Sequence, residues 1–408
     1  MGRTQGLLML SGPWFVFAIL FAARTTIAYQ FQSIASVGPF LVDDLGIGFG
    51  TLGSLIGCYM LPGIVLALPG GLLDQRFGAR RILLVGLAIM AAGGVLVVAS
   101  SHAAVIFTGR IVSGSGAAIL NVVLARTVAS WFPKEDLPFV MGTFVASWPL
   151  GVALSLVSLP SLAVSFGWQA ALLVASVPCF VCAATIAVAY RDMPSAQPAV
   201  GHLRFNLTRG ETLLAAIAGA IWGLYNAGYI VFVATMPEFF VHRGLSLLEA
   251  SNLASIFGWM LLVSLPFGGY LSRRFDRANL LIGTCFLWIA GSAVALALSP
   301  ATMASFAILV TVVGLPAGAI LAIPTKLLHV DKLASGMGVF FTVFYVALAV
   351  LPGAAGLARG AWDSAASPLV LGAAAMVMGF LMLLVLVRLH EAREAKAPHR
   401  APGIEASP

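Results

Sequence analysis

One arginine, Arg24, lies in the middle of the first long apolar stretch of the sequence. If residues 13–35 cross a membrane, Arg24 is near the midplane of that span. A guanidinium at that depth costs at least about 2.5–3.5 kcal/mol, and it does not escape the cost by losing its proton. Arg24 therefore needs either a counter-charge or a watery cavity.

The sequence provides no carboxylate at the depth of Arg24, because each Asp and Glu falls near an end of an apolar stretch or in a polar segment. The simplest counter-charge is then an anionic ligand. The alternative is a structural arginine solvated by backbone carbonyls and water. The sequence leaves both interpretations open.

Other polar residues in apolar stretches are candidates for the same ligand site. Trp222, Tyr225, Asn226 and Tyr229 are spaced by three and four residues, so they share one helix face that offers either a ligand-binding wall or a packing face. Further candidates are Tyr29, Gln32, Asn121 and Tyr345. Arg110 fits a helix-packing or gating role as well as a substrate-linked or proton-linked one.

Several classes of chemistry are missing from the sequence. We find no nucleophile motif, metal cluster or phosphate-binding loop, so we expect neither an enzyme nor an ATP-driven pump, and neither a metal nor a cofactor. No Asp, Glu or His lies at mid-membrane depth, which disfavours proton-coupled export of cations.

The composition determines which elements must position these residues. Of the 408 residues 60% are hydrophobic and 9% are charged, which excludes a water-soluble surface and predicts an all-α integral membrane protein. Twelve membrane-spanning helices are predicted at 13–35, 51–69, 82–100, 104–125, 138–160, 168–190, 211–236, 248–272, 279–298, 302–323, 334–355 and 366–388.

The basic residues orient these helices. With the N-terminus in the cytoplasm, eighteen Lys and Arg fall in cytoplasmic segments, and the outer side has Arg243 and Arg359. The positive-inside rule then places both termini in the cytoplasm, and we expect a monomer in a bacterial inner membrane. This rule accounts for the net charge of +7, so no nucleic-acid partner is expected. The expected partners are the lipid bilayer and a small-molecule substrate.

A polar segment at 191–210 divides the helices into two sets of six. We therefore expect an N-terminal bundle at 1–190, a cytoplasmic linker at 191–210, a C-terminal bundle at 211–390 and a disordered cytoplasmic tail at 391–408. The sequence from Gly70 to Phe77 recurs from Gly268 to Phe275 at an offset of 198 residues, at the end of the second helix of each set. This repeat predicts two bundles related by a pseudo-twofold axis, with a cavity between them, which is typical of transporters.

The first copy of this repeat also carries a family resemblance. Gly71-x-Leu73-x-x-Arg76-Phe77-Gly78-Ala79-Arg80-Arg81 resembles the GxLxDRxGxR loop of the major facilitator superfamily, with a weaker echo in the second half. Gly109-Arg110 followed by Gly114-x-Gly116 resembles the pattern of its fourth helix, and Trp148-Pro149-Leu150-Gly151 is a degenerate relative of its GPxxGG pattern. The resemblance implies gating residues at Asp74, Gln75, Arg76, Arg80 and Arg110. The family's loop aspartate aligns with Gln75, and the carboxylate stands one position earlier, at Asp74.

The first helix resembles anion-transporting branches of that superfamily. Some of them have an arginine in helix 1 that holds an anion, as Arg24 would here. The segment from Ser33 to Pro39 is similar to the end of helix 1 in the cyanate and nitroimidazole transport family, whose own arginine falls at Phe31, two helical turns from Arg24.

We therefore expect a secondary active transporter that moves a small anionic solute by alternating access. The alternative is an exporter of drugs or neutral metabolites, and a membrane sensor or scaffold is a third class.

The topology predicts the position of the linker. A single cysteine in place of His202 should react with a membrane-impermeant maleimide from the cytoplasmic side alone, because that residue lies between the two predicted bundles. Reaction from outside the cell would overturn the predicted orientation.

Overall fold

The computed structural model describes residues 12–66, 77–133, 136–192, 207–275, 277–298, 302–329 and 332–396. These parts of the chain are helical and contain no β-strand. They include twelve helices that are long and apolar enough to cross a membrane, which confirms the predicted fold class.

The helices are numbered α1 to α12 in chain order. The first half contains α1 (Pro13–Ser36), α2 (Phe49–Leu66), α3 (Ala79–Val98), α4 (Ala103–Trp131), α5 (Leu137–Val145 and Ser147–Phe166) and α6 (Trp168–Val174 and Val177–Ala189). The second half contains α7 (Arg209–His242), α8 (Leu247–Phe275), α9 (Ala278–Leu298), α10 (Thr302–Val312, Ala317–Leu321 and Ile323–Leu327), α11 (Leu333–Trp362) and α12 (Ser367–Lys396). Successive spans alternate in direction. We call the face where α1 and α7 begin the terminal face, and the opposite one the distal face.

Several helices are longer than the sequence predicts. The span predicted at 211–236 ends before a proline, yet α7 continues through Pro237 to His242. The span predicted at 334–355 includes Pro352, and α11 continues beyond it to Trp362. Helices in bilayers tolerate proline because neighbouring groups can satisfy the freed carbonyl. Polarity at the membrane surface likewise does not end α4, which continues from the predicted end at 125 to Trp131.

An ionic cluster fixes three helices of the second half at the terminal face. Thr208 and Glu211 form a capping box at the start of α7, in which the backbone N–H of Thr208 donates to Glu211 Oε2 at 2.9 Å. The same carboxylate accepts hydrogen bonds from Lys332 Nζ and Arg393 Nη2, each at 3.0 Å. Arg393 thus gives the end of α12 a partner, and the helix extends to Lys396, into the segment predicted as a disordered tail from 391.

The internal repeat is visible in the packing of each half. Phe31 of α1 contacts Tyr59 of α2 edge to face, with ring centroids 5.7 Å apart and planes at 63°. At the offset of 198 residues, Tyr229 of α7 contacts Phe257 of α8 at 6.3 Å and 63°. Equivalent helices therefore pack through equivalent rings in two six-helix bundles.

The two halves pack against each other through α2 with α11 and through α5 with α8. Glycines allow these helices to approach closely. A Cβ atom at Gly53 or Gly57 would overlap the backbone carbonyl of Pro352 or Ala349, respectively. Gly258 of α8 lies against the backbone of Pro149. Since Gly53, Gly57 and their partners lie in the distal portions of α2 and α11, the two halves are closed against each other along these two helices at the distal side.

A single added methyl group should weaken this closure. Gly53→Ala places a Cβ against the Pro352 carbonyl, and overpacking of this kind costs about 1–3 kcal/mol. We expect a lower melting temperature for the purified protein. Gly360→Ala is the control, since a Cβ there meets nothing within 4 Å, and it should not lower the melting temperature. Equal melting temperatures for both variants would contradict the close packing.

Candidate functional site

Arg24 is partly exposed and makes three hydrogen bonds to α5, all from one nitrogen. Its Nη1 donates to the carbonyl oxygens of Phe144 at 2.9 Å and Val145 at 3.2 Å, and to Ser147 Oγ at 3.2 Å. The guanidinium also lies 5.1 Å from the centroid of the Phe144 ring. Among the described residues, no carboxylate pairs with Arg24 and no protein acceptor is bound by its Nε or Nη2. Protein dipoles thus surround one side of the Arg24 guanidinium, but no carboxylate among the described residues neutralises its charge.

A break in α5 provides these acceptors. Pro149 has no N–H, so the carbonyl of Val145, four residues earlier, lacks its helical donor. The helix turns at Ala146, whose N–H bonds to Thr143 at 3.1 Å, and it resumes at Ser147. Carbonyls at the C-terminal end of a helical segment carry partial negative charge. Pro149 was thus the sequence signal for the carbonyls that bind Arg24, and sequence analysis missed it.

A small cavity next to this site joins the two halves. Its lining includes Ile27, Tyr59, Gly63 and Asn121 of the first half and Tyr345 of the second, and its volume is about 10 Å³. Tyr345 is close enough to interact with both Arg24 and Asn121. Such a volume holds about one water molecule, so the site is tightly closed in this structure.

Arg110 is 2% exposed, and each of its three side-chain nitrogens donates a hydrogen bond within the first half. Its Nη1 and Nη2 donate to the carbonyls of Gln30 at 2.9 Å and Phe31 at 3.0 Å, and Nε donates to Leu55 at 3.1 Å. Its guanidinium lies 4.4 Å from the centroid of the Tyr59 ring. These contacts join α1, α2 and α4. The gating role implied by the family resemblance stays a prediction, because every one of these partners belongs to the same half.

Close helix packing explains the three glycines near Arg110 in the sequence pattern of α4, Gly109-Arg110 followed by Gly114-x-Gly116. A Cβ at Gly109 or Gly116 would overlap backbone atoms of α3, and one at Gly114 would overlap the Tyr59 carbonyl of α2. Gly109 and Gly116 thus let α4 pack closely on α3, and Gly114 lets it approach α2, whose Leu55 carbonyl Arg110 reaches.

The candidate residues of α7 separate into different environments. Trp222 stacks on Tyr225, with ring centroids 5.6 Å apart, and on Phe344 of α11 at 6.1 Å. The Tyr225 hydroxyl donates to the Val313 carbonyl at 2.7 Å, and Asn226 Nδ2 donates to the Trp222 carbonyl at 2.8 Å. Contacts within the second half therefore engage Trp222, Tyr225 and Asn226.

Two of the candidate ligand-binding residues have a buried donor without a hydrogen-bond partner among the described residues. The donors are Gln32 Nε2 on α1 and the Tyr229 hydroxyl on α7. Tyr29, by contrast, has its hydroxyl 2.7 Å from Ser158 Oγ of α5. Buried polar groups are usually satisfied, and exceptions are typical of sites that bind water or a ligand. Gln32 and Tyr229 thus retain the ability to bind a ligand, whereas Tyr29 is occupied.

The predicted gating loop is described in part. Asp74, Gln75 and Arg76 lie outside the described residues. The backbone N–H of Arg80 donates to Asp192 Oδ1 at 2.9 Å, and its Nη2 contacts the Ala187 carbonyl. These contacts join the start of α3 to the end of α6. Within the described ranges, no group of three His, Cys, Asp or Glu side chains is placed to hold a metal ion.

A family model described as the Major Facilitator Superfamily matches residues 14–225 and 212–408. The chain belongs to this superfamily. The superfamily and the named relatives are transporters and not enzymes, in agreement with the prediction from the sequence motifs.

Members of the superfamily with known names are distant in sequence. A hexuronate transporter of Bacillus subtilis is 24% identical over 273 residues, which are 63% of this chain and 64% of that protein. The chain thus spans slightly less than two thirds of its length. A cyanate transport protein of Escherichia coli is 25% identical over 278 residues, or 63% and 69% of the two chains.

The fold extends over nearly the whole chain. The solved structure of a bacterial homologue of the human lysosomal transporter Spinster, in an inward-facing and occupied conformation, aligns with a TM-score of 0.73. Identity is 14%, and the alignment covers 93% of this chain and 96% of that one.

Removing Arg110 should destabilise the protein. Hydrogen bonds to charged groups contribute about 1.5–3 kcal/mol each, so we expect Arg110→Leu to lose at least about 3 kcal/mol of stability and to melt at a lower temperature. Arg110→Lys should be nearly as unstable, because an ammonium cannot match the planar array of donors.

The control is Thr108→Val on the same helix, since the Thr108 hydroxyl bonds to the carbonyl of Ala104, within α4. A wild-type melting temperature for Arg110→Lys would contradict the three-helix contact.

Proposed function

We propose that this transporter carries a small anionic solute by alternating access, and that Arg24 binds its charged group. The observation that carries the proposal is the partial solvation of Arg24. One nitrogen is bound to carbonyls of α5, whereas Nε and Nη2 lack a protein acceptor among the described residues. A carboxylate held at those two nitrogens would satisfy the remaining donors and neutralise the charge.

The residues around Arg24 support binding at the interface of the halves. Tyr345 comes from α11 and Asn121 from α4, and both line the small cavity. An anion on Arg24 would therefore contact groups of both halves. Binding that depends on both halves is a physical means of coupling the ligand to their relative movement. Gln32 and Tyr229 are proposed as further donors to the solute.

The names of the relatives support an anion as well. Hexuronate and cyanate are both anions, although the identities of 24% and 25% are low. From those names we infer the charge of the solute and not its chemical structure.

We further propose that the terminal face is cytoplasmic in a bacterial inner membrane and that the transporter is a monomer. The basic residues support this orientation. Arg80, Arg81, Arg126, Arg191 and Arg209 are at or near the terminal ends of helices. The linker 191–210 would then be cytoplasmic and divide the proposed domains. The proposed cytoplasmic gate contains Asp74, Gln75, Arg76 and Arg80.

Purified protein allows a direct test with chosen probes. Glucuronate and cyanate represent the anions, and glucose is the neutral match to glucuronate. At least one anion should raise the wild-type melting temperature, because a ligand of the folded state stabilises it. Arg24→Gln should stay folded but lose about 10- to 150-fold in affinity, since a charged hydrogen bond contributes about 1.5–3 kcal/mol.

Matched variants separate charge from folding. Arg24→Lys keeps the charge without the planar fork, so a carboxylate should still bind poorly. Thr25→Val is the control at the same depth, because the Thr25 hydroxyl bonds to Phe21 of its own helix at 3.0 Å, and it should bind the anion normally. Unfolding of Arg24→Gln would favour a structural arginine. Normal anion binding by that variant would show that Arg24 does not hold the charged group.

A further inference from the structure

Arg359 lies in the last turn of α11 at the distal face, and it is 5% exposed. Its three side-chain nitrogens all have partners in the second half. Nε donates to Glu238 Oε1 at 2.7 Å, Nη1 donates to Asp363 Oδ1 at 3.2 Å, and Nη2 is 3.2 Å from His242 Nε2. The edge of the guanidinium is therefore fully bonded, and its plane is held in one orientation.

The flat face of this guanidinium contacts the other half. Its Cζ lies 4.3 Å from the ring centroid of Phe49, the first residue of α2. The backbones approach closely at the same place, because a Cβ at Gly356 would overlap the Phe49 carbonyl. A cation stacked on an aromatic ring in a desolvated setting is a favourable contact.

A cavity of about 260 Å³ adjoins the stacked pair on the distal side. It is lined by α1, α2, α7 and α11, with Ala35 and Val231 among its walls and with Phe49, Glu238 and Arg359 on its surface. The cavity thus lies at the seam between the halves, and the stacked pair forms part of its wall.

The partners of Arg359 determine which contacts are lost when the two halves separate. Arg359 keeps Glu238 and Asp363 when the halves separate, since all three belong to the second half. Separation breaks the stack on Phe49 without leaving a charge unpaired. A gate of this kind opens at a modest cost, whereas a salt bridge between the halves would leave two desolvated charges.

We propose that Arg359 and Phe49 form the distal gate of this transporter. The pair stabilises the distal-closed state. Its separation opens a path from the distal side to the small cavity of about 10 Å³ near Arg24, called the central cavity below. This inference rests on the proposed alternating access, but it does not depend on the charge of the solute.

The test measures access to the central cavity from each side of the membrane. Ala118 lines that cavity and is buried, so Ala118→Cys provides a reporter for a membrane-impermeant sulfonated maleimide. The native cysteines are buried, and the parent protein measures their background. Membrane vesicles of both orientations expose either the distal or the terminal face to the reagent.

Phe49→Leu should raise the rate of labelling from the distal side about tenfold, which corresponds to about 1.4 kcal/mol, and it should not raise the rate from the terminal side. Arg359→Ala should act in the same direction. Phe49→Trp is the matched control, because it keeps a ring for the cation, and it should stay near the parent rate.

Two results would overturn the proposal. One is a distal rate at the parent level in folded Phe49→Leu. The other is an equal rise from both sides, which indicates loss of packing and not the opening of one gate. Arg359→Ala leaves Glu238 and Asp363 without their partner, so if that variant fails to fold, Phe49→Leu decides the question.

Discussion

A guanidinium in an apolar, water-poor interior must be surrounded by acceptors, and this requirement shapes the structure at three places. Arg110 meets it completely with three carbonyls of α1 and α2. Arg359 meets it with Glu238, Asp363 and His242 at the distal face. Arg24 meets it in part. The three arginines thus have different roles. Arg110 joins helices within one half, Arg359 contacts the other half, and Arg24 is a candidate ligand site.

Two of these acceptors lie at irregular backbone. Pro149 frees the Val145 carbonyl for Arg24, and the short 3₁₀ turn at Cys58–Met60 lies next to the Leu55 carbonyl that Arg110 uses. Irregular backbone at membrane depth is tolerated where protein groups satisfy it. The breaks in α2 and α5 thus each lie beside a carbonyl that binds one of these arginines.

Much of the fold could be predicted from sequence, because hydrophobic length and the repeat report directly on membrane spans and on duplicated architecture. The candidate site was predicted less completely. Arg24 was found because a lone cation in an apolar stretch is conspicuous, but its partners are more than a hundred residues away in the chain. The spacing of Trp222, Tyr225 and Asn226 predicted a shared face, yet it could not reveal that Tyr225 and Asn226 are bonded within their own half. Arg359 was assigned to the outer surface, and its burial against Phe49 depends on tertiary packing that local sequence does not encode.

The ring pairs that relate the two halves also show where the halves differ. Phe31 and Tyr59 in one half correspond to Tyr229 and Phe257 in the other. The hydroxyl is therefore on the ring of α2 in the first half and on the ring of α7 in the second. On the Phe257 ring, the position that Arg110 takes over Tyr59 is filled by Phe306, with centroids 5.5 Å apart. The two halves thus share an aromatic framework and differ in charge. The first half has a fixed cation on this ring where the second half has an apolar ring, an asymmetry that a pair of identical subunits could not have.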